Sequence, residues 1–357
     1  MIRTTRSRYL SPDALLFGAL ATVWGLSFVA IEAGLKTVPP LFFAGARYAL
    51  AGVLVLGYAA VTKERILPRG RTEWLNVAVV GGFLVAAYHA LLYLGQTTVP
   101  GGVAAVVVSL SPVLTAVFAA LVLDDSLDGI TVGGFLLGLV GVAIVADLDP
   151  ANLLGADAVG IGLLLVAAAS FALGSVLSTP LRTTLADVSM QGWAMLVGSL
   201  VLFAGSLATG ESPADVAWTP TALAALAYLT VASGVIGFLL YFALHARIGP
   251  SETNLVGYFQ PVVAALAGWA LLGQAVSGTT VLGFLGIFAG FALVQHRTVR
   301  GRVSARFGRV GFHPDSLRHR LVRRLPRSLG CGLNRLLGPQ YRCTDTSVVA
   351  DFGHDAD

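Results

Sequence analysis

Between Ala14 and Val294 the chain is a run of apolar blocks, each about as long as a membrane-crossing helix and each ended by charge, proline or glycine. A helix rises about 1.5 Å per residue, so roughly 20 apolar residues cross the ~30 Å hydrocarbon layer of a bilayer. The blocks read as spans over Ala14–Leu35, Leu41–Val61, Trp74–Leu94, Val99–Leu123 and Gly129–Ala146. A second set follows over Ala158–Leu177, Met190–Ala208, Ala222–Leu244, Leu255–Leu272 and Thr279–Val294. Of the 357 residues 56% are hydrophobic and 12% charged, where a soluble domain carries about 25% charge. Too little charged surface is left to keep such a fold in water. The expected class is therefore all-α integral membrane, with ten transmembrane helices.

Arg3, Arg6 and Arg8 precede a first block too long for a signal-peptide core, and no small-residue cleavage motif closes it. It reads as a retained span. Cytoplasmic loops keep Lys and Arg, which sets the orientation. With the N-terminus inside, Lys63, Arg65, Arg69, Arg71, Arg182, Arg247 and the Arg-rich tail from Arg297 all fall inside, and the outside holds only Lys36. The expectation is a multi-pass protein of the cell (cytoplasmic) membrane with both termini cytoplasmic. Residues 1–13 form a cytoplasmic N-terminus, 14–146 a first five-helix repeat and 147–157 an outside linker. Residues 158–296 form a second repeat and 297–357 a basic cytoplasmic tail.

The repeats are visible in the residues. Laying Pro112–Val145 on Pro261–Val294 without a gap matches roughly thirteen of thirty-four positions, among them Pro112/Pro261, Gly129/Gly278, Thr131/Thr280, Gly134/Gly283 and Gly141/Gly290. Shared Pro, Gly and Thr positions are harder to obtain by chance than shared Leu or Val. Five helices per copy is an odd number, so the second copy enters the membrane from the other side. Inverted repeats of this kind are a recurring plan of secondary transporters.

Trp24-Gly25 followed by Phe28, then Pro39-Pro40 with Arg47 beyond it, then Ser111-Pro112 and Gln260-Pro261, form an ordered set of motifs. In this order and spacing the chain resembles the drug/metabolite transporter superfamily, specifically its EamA-type ten-helix members, over about Ala14 to Val294. The resemblance implies two inverted five-helix repeats and a secondary transporter of small metabolites working by alternating access, with export the expected direction. One departure stands out. Where such proteins often carry Gly-Glu after the fourth and ninth helices, this chain has Asp124-Asp125 and Gly273-Gln274.

The residues offer candidates for a substrate path. A charge near the bilayer centre costs several kcal/mol, so ionisable side chains inside spans face a partner or water. Glu32, Arg47 and His89 are such residues, and Glu32 and Arg47 read either as an ion pair or as substrate or proton groups. Helical spacing sets Trp24, Phe28 and Glu32 on one face, His89, Tyr93 and Gln96 on another, and Ser233, Gly237, Tyr241 and His245 on a third. With Gln260 these faces could line a path, or could simply join helices. Pro112 and Pro261 each remove a backbone donor and bend a helix, which makes them hinge candidates. Gly134/Gly138 and Gly286/Gly290 have small-xxx-small spacing suited to close helix packing inside the monomer or between protomers.

Two other functions compete. Asp124-Asp125-Ser126-Leu127-Asp128 has the pattern of a Mg²⁺ and diphosphate site, as in an integral-membrane prenyltransferase, but no second acidic cluster completes it. A non-transporting scaffold or receptor would not need an inverted repeat. Cys331, Cys343, His313 and His319 lie far apart in the tail and match no zinc pattern. The expectation is thus a non-enzyme with no cofactor and no metal. Its partners are a small-molecule substrate and the lipid bilayer, with proton coupling and a homodimer both compatible and nucleic acid excluded. The tail sets Leu317, Leu321 and Leu325 among arginines, as in a basic helix lying on an anionic leaflet.

Overall fold

The computed structural model describes residues 11–122, 129–146, 156–181, 184–249, 253 and 255–294. By internal contacts the chain divides into Met1–His296 and Arg297–Asp357, and every described residue lies in the first unit. The Asp124–Asp128 cluster and the basic tail fall outside the described residues.

All secondary structure among the described residues is helical. The helices are α1 (Pro12–Leu35), α2 (Pro40–Thr62), α3 (Gly70–Gly95), α4 (Gly101–Val122), α5 (Gly129–Ala146), α6 (Ala156–Ser178), α7 (Asp187–Ala208), α8 (Pro220–Ile248), α9 (Val256–Leu272) and α10 (Gly278–Val294). Seven of them (α1 to α4 and α6 to α8) are long and apolar enough to cross a membrane, and α5, α9 and α10 contain shorter apolar helices. Large apolar side chains such as Leu54 and Val61 on α2, Leu200 on α7, Trp269 on α9 and Leu282 on α10 point outward. Water would penalise that surface and hydrocarbon does not. The chain is a multi-pass helical membrane protein.

Helix ends follow local chemistry. Ser11 accepts a bond from the Ala14 amide (3.2 Å) ahead of Pro12, and Thr219 does the same for Ala222 (3.1 Å) ahead of Pro220. Both pair an oxygen cap with a proline at the first helical position, where its missing N–H costs nothing. α2 and α4 instead follow Pro39 and Pro100, which offer no side-chain cap. Carboxylates from other helices and loops fill the gap. Glu211 accepts from the Leu41 (3.1 Å) and Phe42 (2.8 Å) amides, and Glu32 accepts from the Gly101 amide (2.7 Å). Each sets negative charge against a helix N-terminus, where the macrodipole favours it.

Packing joins α2 to α7, α5 to α10 and α1 to α9, with α4 and α3 against α6 and α8 against α1 and α2. The α5–α10 seam is the closest approach. A Cβ added to Gly141 would fall 2.6 Å from the Gly283 carbonyl, and one added to Gly290 would meet the Gly134 carbonyl. The small-residue spacing thus serves packing inside the monomer. α3 and α8 each contain a π-helical stretch, Val80–Ala87 and Tyr228–Ile236, which sequence periodicity did not reveal.

The two prolines differ. Pro112 does not bend a continuous helix, because α4 is already broken at Ser109-Leu110 and Pro112 is the second residue of the new segment Ser111–Val122. The carbonyl of Val108 is taken by the Ser111 hydroxyl (2.6 Å), so its lost amide partner is replaced locally. Pro261 does sit inside a helix, Val256–Leu272.

Candidate functional site

Where α1, α2, α3 and α8 converge, polar side chains meet in the otherwise apolar interior. Arg47 on α2 is 3% exposed. Its Nη1 donates to the Tyr93 hydroxyl on α3 (3.1 Å) and its Nη2 to Ser233 Oγ on α8 (3.3 Å). Its guanidinium lies 4.5 Å from the centre of the Tyr48 ring, a cation–π distance. Ser27 Oγ on α1 is 2.8 Å from Ser233 Oγ and 3.0 Å from the Val23 carbonyl, so hydroxyls continue the network from α8 into α1.

His89 extends it along α3. Its Nδ1 lies 3.0 Å from the Val85 carbonyl, which can only accept, so Nδ1 carries the proton. Nε2 of the neutral ring then accepts from the Tyr48 hydroxyl at 2.6 Å. The imidazole also stands edge-on to Tyr48 and Tyr88, with ring centroids 4.5 Å apart in each pair. Trp24 closes the α1 side: its indole donates to the Ser233 carbonyl (3.2 Å) and stacks on Tyr241 at 5.6 Å. Gly237 makes room for it, since a Cβ there would fall 2.5 Å from the indole nitrogen. The Tyr228 hydroxyl donates to the Val23 carbonyl (2.8 Å) beside the same junction.

Among the sequence candidates, Trp24, Arg47, His89 and Tyr93 come together here, and Tyr241 stacks behind Trp24. Phe28 is buried in the core, and its carbonyl accepts from the Gln96 amide (3.1 Å). Glu32 and Gln260 take no part in the cluster's hydrogen bonds. Glu32 and Arg47 are not an ion pair. Glu32 holds the Gly101 amide and the Gln274 side chain instead, the latter turned back by left-handed Gly273 at the end of α9. The Gln260 carbonyl marks where α9 meets Gly25 of α1, 2.9 Å from a Cβ placed there. Tyr48, Ser27 and Tyr88 were missed. Each is a lone polar group one position from a candidate or from an apolar run, and helical spacing alone does not mark it.

A second polar group lies at the end of the molecule where α2 leaves and α3 begins. Arg65 pairs with Glu73 through two bonds of 2.6 and 2.7 Å and reaches Thr184 at 3.1 Å. Hydrogen bonding to Glu73 raises the Arg65 pKa above its ordinary value. At the same end Arg247 pairs with Asp13 at 2.6 Å, and Trp193 donates to the Ile66 carbonyl at 2.8 Å. A cleft of about 340 Å³ opens beside Thr62, Lys63, Arg65 and Thr184.

Comparison with known proteins agrees with this architecture. The EamA-like transporter family matches twice, over residues 13–146 and 158–295. The chain belongs to the EamA-like transporter family, and it is a membrane transporter of small molecules. It is 31% identical over 279 residues to the inner membrane transporter YedA of Escherichia coli (strain K12), covering 76% of this chain and 87% of that one. It is 26% identical over 295 residues to the transporter YvbV of Bacillus subtilis (strain 168), covering 82% and 94%. Protein PecM of Dickeya dadantii is 28% identical over 279 residues, covering 76% and 89%. One crystal structure shares the fold with a TM-score of 0.57 at 18% identity, covering 82% of this chain and 99% of that one.

Proposed function

We propose that this chain is a secondary exporter of small metabolites in the cytoplasmic membrane. Ten spans form two inverted five-helix repeats with both termini cytoplasmic, and substrate crosses by alternating access at a single site centred on Arg47. The observation that carries the reading is the pairing of helices. Three contacts between the halves come in matched pairs: α1 with α9 and α6 with α4, α1 with α8 and α6 with α3, α2 with α8 and α7 with α3. α2 with α7 and α5 with α10 pair across the axis that such symmetry requires.

Details support it. In the register that lays Pro112 on Pro261, the π-helical Val80–Ala87 falls on residues 229–236, within the π-helical Tyr228–Ile236. Gly141 against Gly283 and Gly290 against Gly134 are the same contact made twice. The double family match divides the chain at the same place. π-helical turns at functional sites and sites between inverted repeats are both recurrent, and here Arg47 of the first half meets Ser233 of the second. Family membership favours transport over prenyl transfer.

Direction is tested in cells. Overexpression should lower the internal level of at least one small metabolite and raise it in the medium, with deletion doing the reverse; internal accumulation on overexpression would overturn export. Orientation is tested separately, with single cysteines at Arg69 and Ser212 in a chain lacking Cys331 and Cys343. An impermeant reagent applied to intact cells should label Ser212→Cys and spare Arg69→Cys.

A further inference from the structure

Among the described residues Arg47 is a buried cation with no anion paired to it. Among the described residues the ion pairs are Arg65–Glu73 and Arg247–Asp13. Glu32, the acid that sequence offered, is committed to Gly101 and Gln274. The ionisable groups around Arg47 are Tyr48, Tyr88, Tyr93, Tyr228 and His89, none of which is negative near neutral pH. A guanidinium does not give up its proton in a protein, so the charge stays. Two neutral hydroxyls solvate it without cancelling it.

One donor is also unused. Nε of Arg47 is buried and has no hydrogen-bond partner, while Nη1 and Nη2 hold Tyr93 and Ser233. A buried N–H left unpaired is destabilising, and more so on a charged group. The guanidinium fork matches the two oxygens of a carboxylate, and such bonds are about twice as strong as neutral ones. A buried charge and an unmet donor on the same side chain are both answered by one kind of ligand.

We propose that Arg47 is the anion-binding group of the transport site, and that the transported solute is a small metabolite bearing a carboxylate. The assignment rests on the central-site reading above and gives it a substrate class. The carboxylate takes Nε and one Nη, Tyr48 supports the guanidinium from its ring face, and the hydroxyls of Tyr93 and Ser233 hold the rest of the fork in place.

The test uses purified full-length chain and matched pairs of solutes: acetate, succinate, benzoate and L-leucine, each with its amide. Thermal unfolding reports binding, because a ligand of the folded state raises the unfolding temperature. At least one acid should stabilise the chain at a concentration about tenfold or more below its amide. Arg47→Gln should bring that pair to within about threefold, and Arg47→Lys should fall between, keeping the charge and losing the fork. A structural arginine would change stability in these variants and leave the acid-to-amide ratio alone, which would overturn the proposal. Should Arg47→Gln fail to fold, the parent chain still decides: amides that bind as well as acids, or no acid that binds, also overturn it. Uptake of the labelled acid into proteoliposomes separates the two readings. An acid that binds through Arg47 but does not cross overturns the central transport site and the carboxylate class of the transported solute, and keeps Arg47 only as an anion-binding group. Flux of amides without competition from acids overturns the assignment and keeps transport.

Discussion

The α5–α10 seam and the Arg47 cluster both join the first half of the chain to the second, and they do so by opposite means. At the seam, glycines let backbones touch, with Gly141 against Gly283 and Gly290 against Gly134. At the cluster, Arg47 of α2 donates to Tyr93 of α3 and to Ser233 of α8, and among the described residues its charge has no anionic partner. The seam satisfies itself, because its backbone bonds are internal to each helix and its contact is van der Waals. The cluster does not. The difference separates two demands on one fold: the seam holds the halves together, and the cluster, in the proposed function, changes energy when solute arrives.

The largest effect should come from filling the seam. In Gly141→Leu the new Cβ meets the Gly283 carbonyl at 2.6 Å and the Ile287 amide nitrogen at 2.7 Å, and backbone cannot swing aside as a side chain can. Overpacking costs about 1–3 kcal/mol where side chains can yield, and here the cost should be at or above the upper end. A sharp fall in unfolding temperature and yield is expected, with the acid-to-amide preference of the surviving protein unchanged. Parental stability would show that the seam is looser than this geometry, and a changed preference would show that seam and cluster are coupled.

Next come the carboxylates that cap α2 and α4. Glu211→Gln and Glu32→Gln keep the side-chain shape while removing the charge that faces each helix N-terminus, and each should cost about 1–2 kcal/mol of stability. Glu32→Gln also weakens the tie to Gln274. If Glu32 were instead the partner of Arg47, its loss would abolish the carboxylate preference while Glu211→Gln would not. Equal effects of the two substitutions on stability and none on preference would confirm that both are caps.

Smaller still is the loss of one hydroxyl from the fork. Tyr93→Phe removes the 3.1 Å bond to Nη1 and leaves the ring in place against Phe43. A bond of this type is worth about 1 kcal/mol, or roughly fivefold in affinity. Solute affinity should fall by about that factor with little change in abundance. No change would mean that Tyr93 does not orient the guanidinium.

Seven of the expected spans, those that are long and apolar enough to cross a membrane, were legible in the sequence because apolar length is set by the bilayer and needs no knowledge of neighbours. The likeness of Pro112–Val145 to Pro261–Val294 was legible too, since Pro, Gly and Thr recur there in register. The π-helical stretches were not, because a single inserted residue per turn leaves composition unchanged. The cluster was half legible. Arg47, His89, Tyr93 and Trp24 stood out as polar or aromatic groups in apolar spans, but partner choice depends on the third dimension. Arg47 and Glu32 flank one loop and suggest a pair by proximity, yet α4 brings an uncapped N-terminus to Glu32 and α8 brings Ser233 to Arg47. Tyr48 and Ser27 carry the network and left no periodic signal.

The smallest expected effect sharpens the comparison inside the proposed repeat, between Pro112 and Pro261. The two occupy equivalent positions, but α4 is already interrupted at Ser109-Leu110 and the Ser111 hydroxyl takes the Val108 carbonyl, whereas Pro261 lies in the unbroken helix Val256–Leu272. Pro112→Ala therefore restores an amide where the helix is starting again and its carbonyl partner is occupied. The change should be within about 1 kcal/mol in stability, the usual scale for a proline placed where its geometry suits. Pro261→Ala restores an amide inside a helix that lacks one, so it should stiffen α9, which packs on α1 at Gly25. If bending of α9 accompanies the change between inward- and outward-facing states, turnover should slow while equilibrium binding holds. Proteoliposome flux alongside thermal-shift affinity distinguishes the outcomes. Slower flux in Pro261→Ala with Pro112→Ala at the parental rate would assign the moving element to α9. Equal slowing in both would return the symmetric hinge that the sequence suggested, and no slowing in either would remove the prolines from the transport cycle.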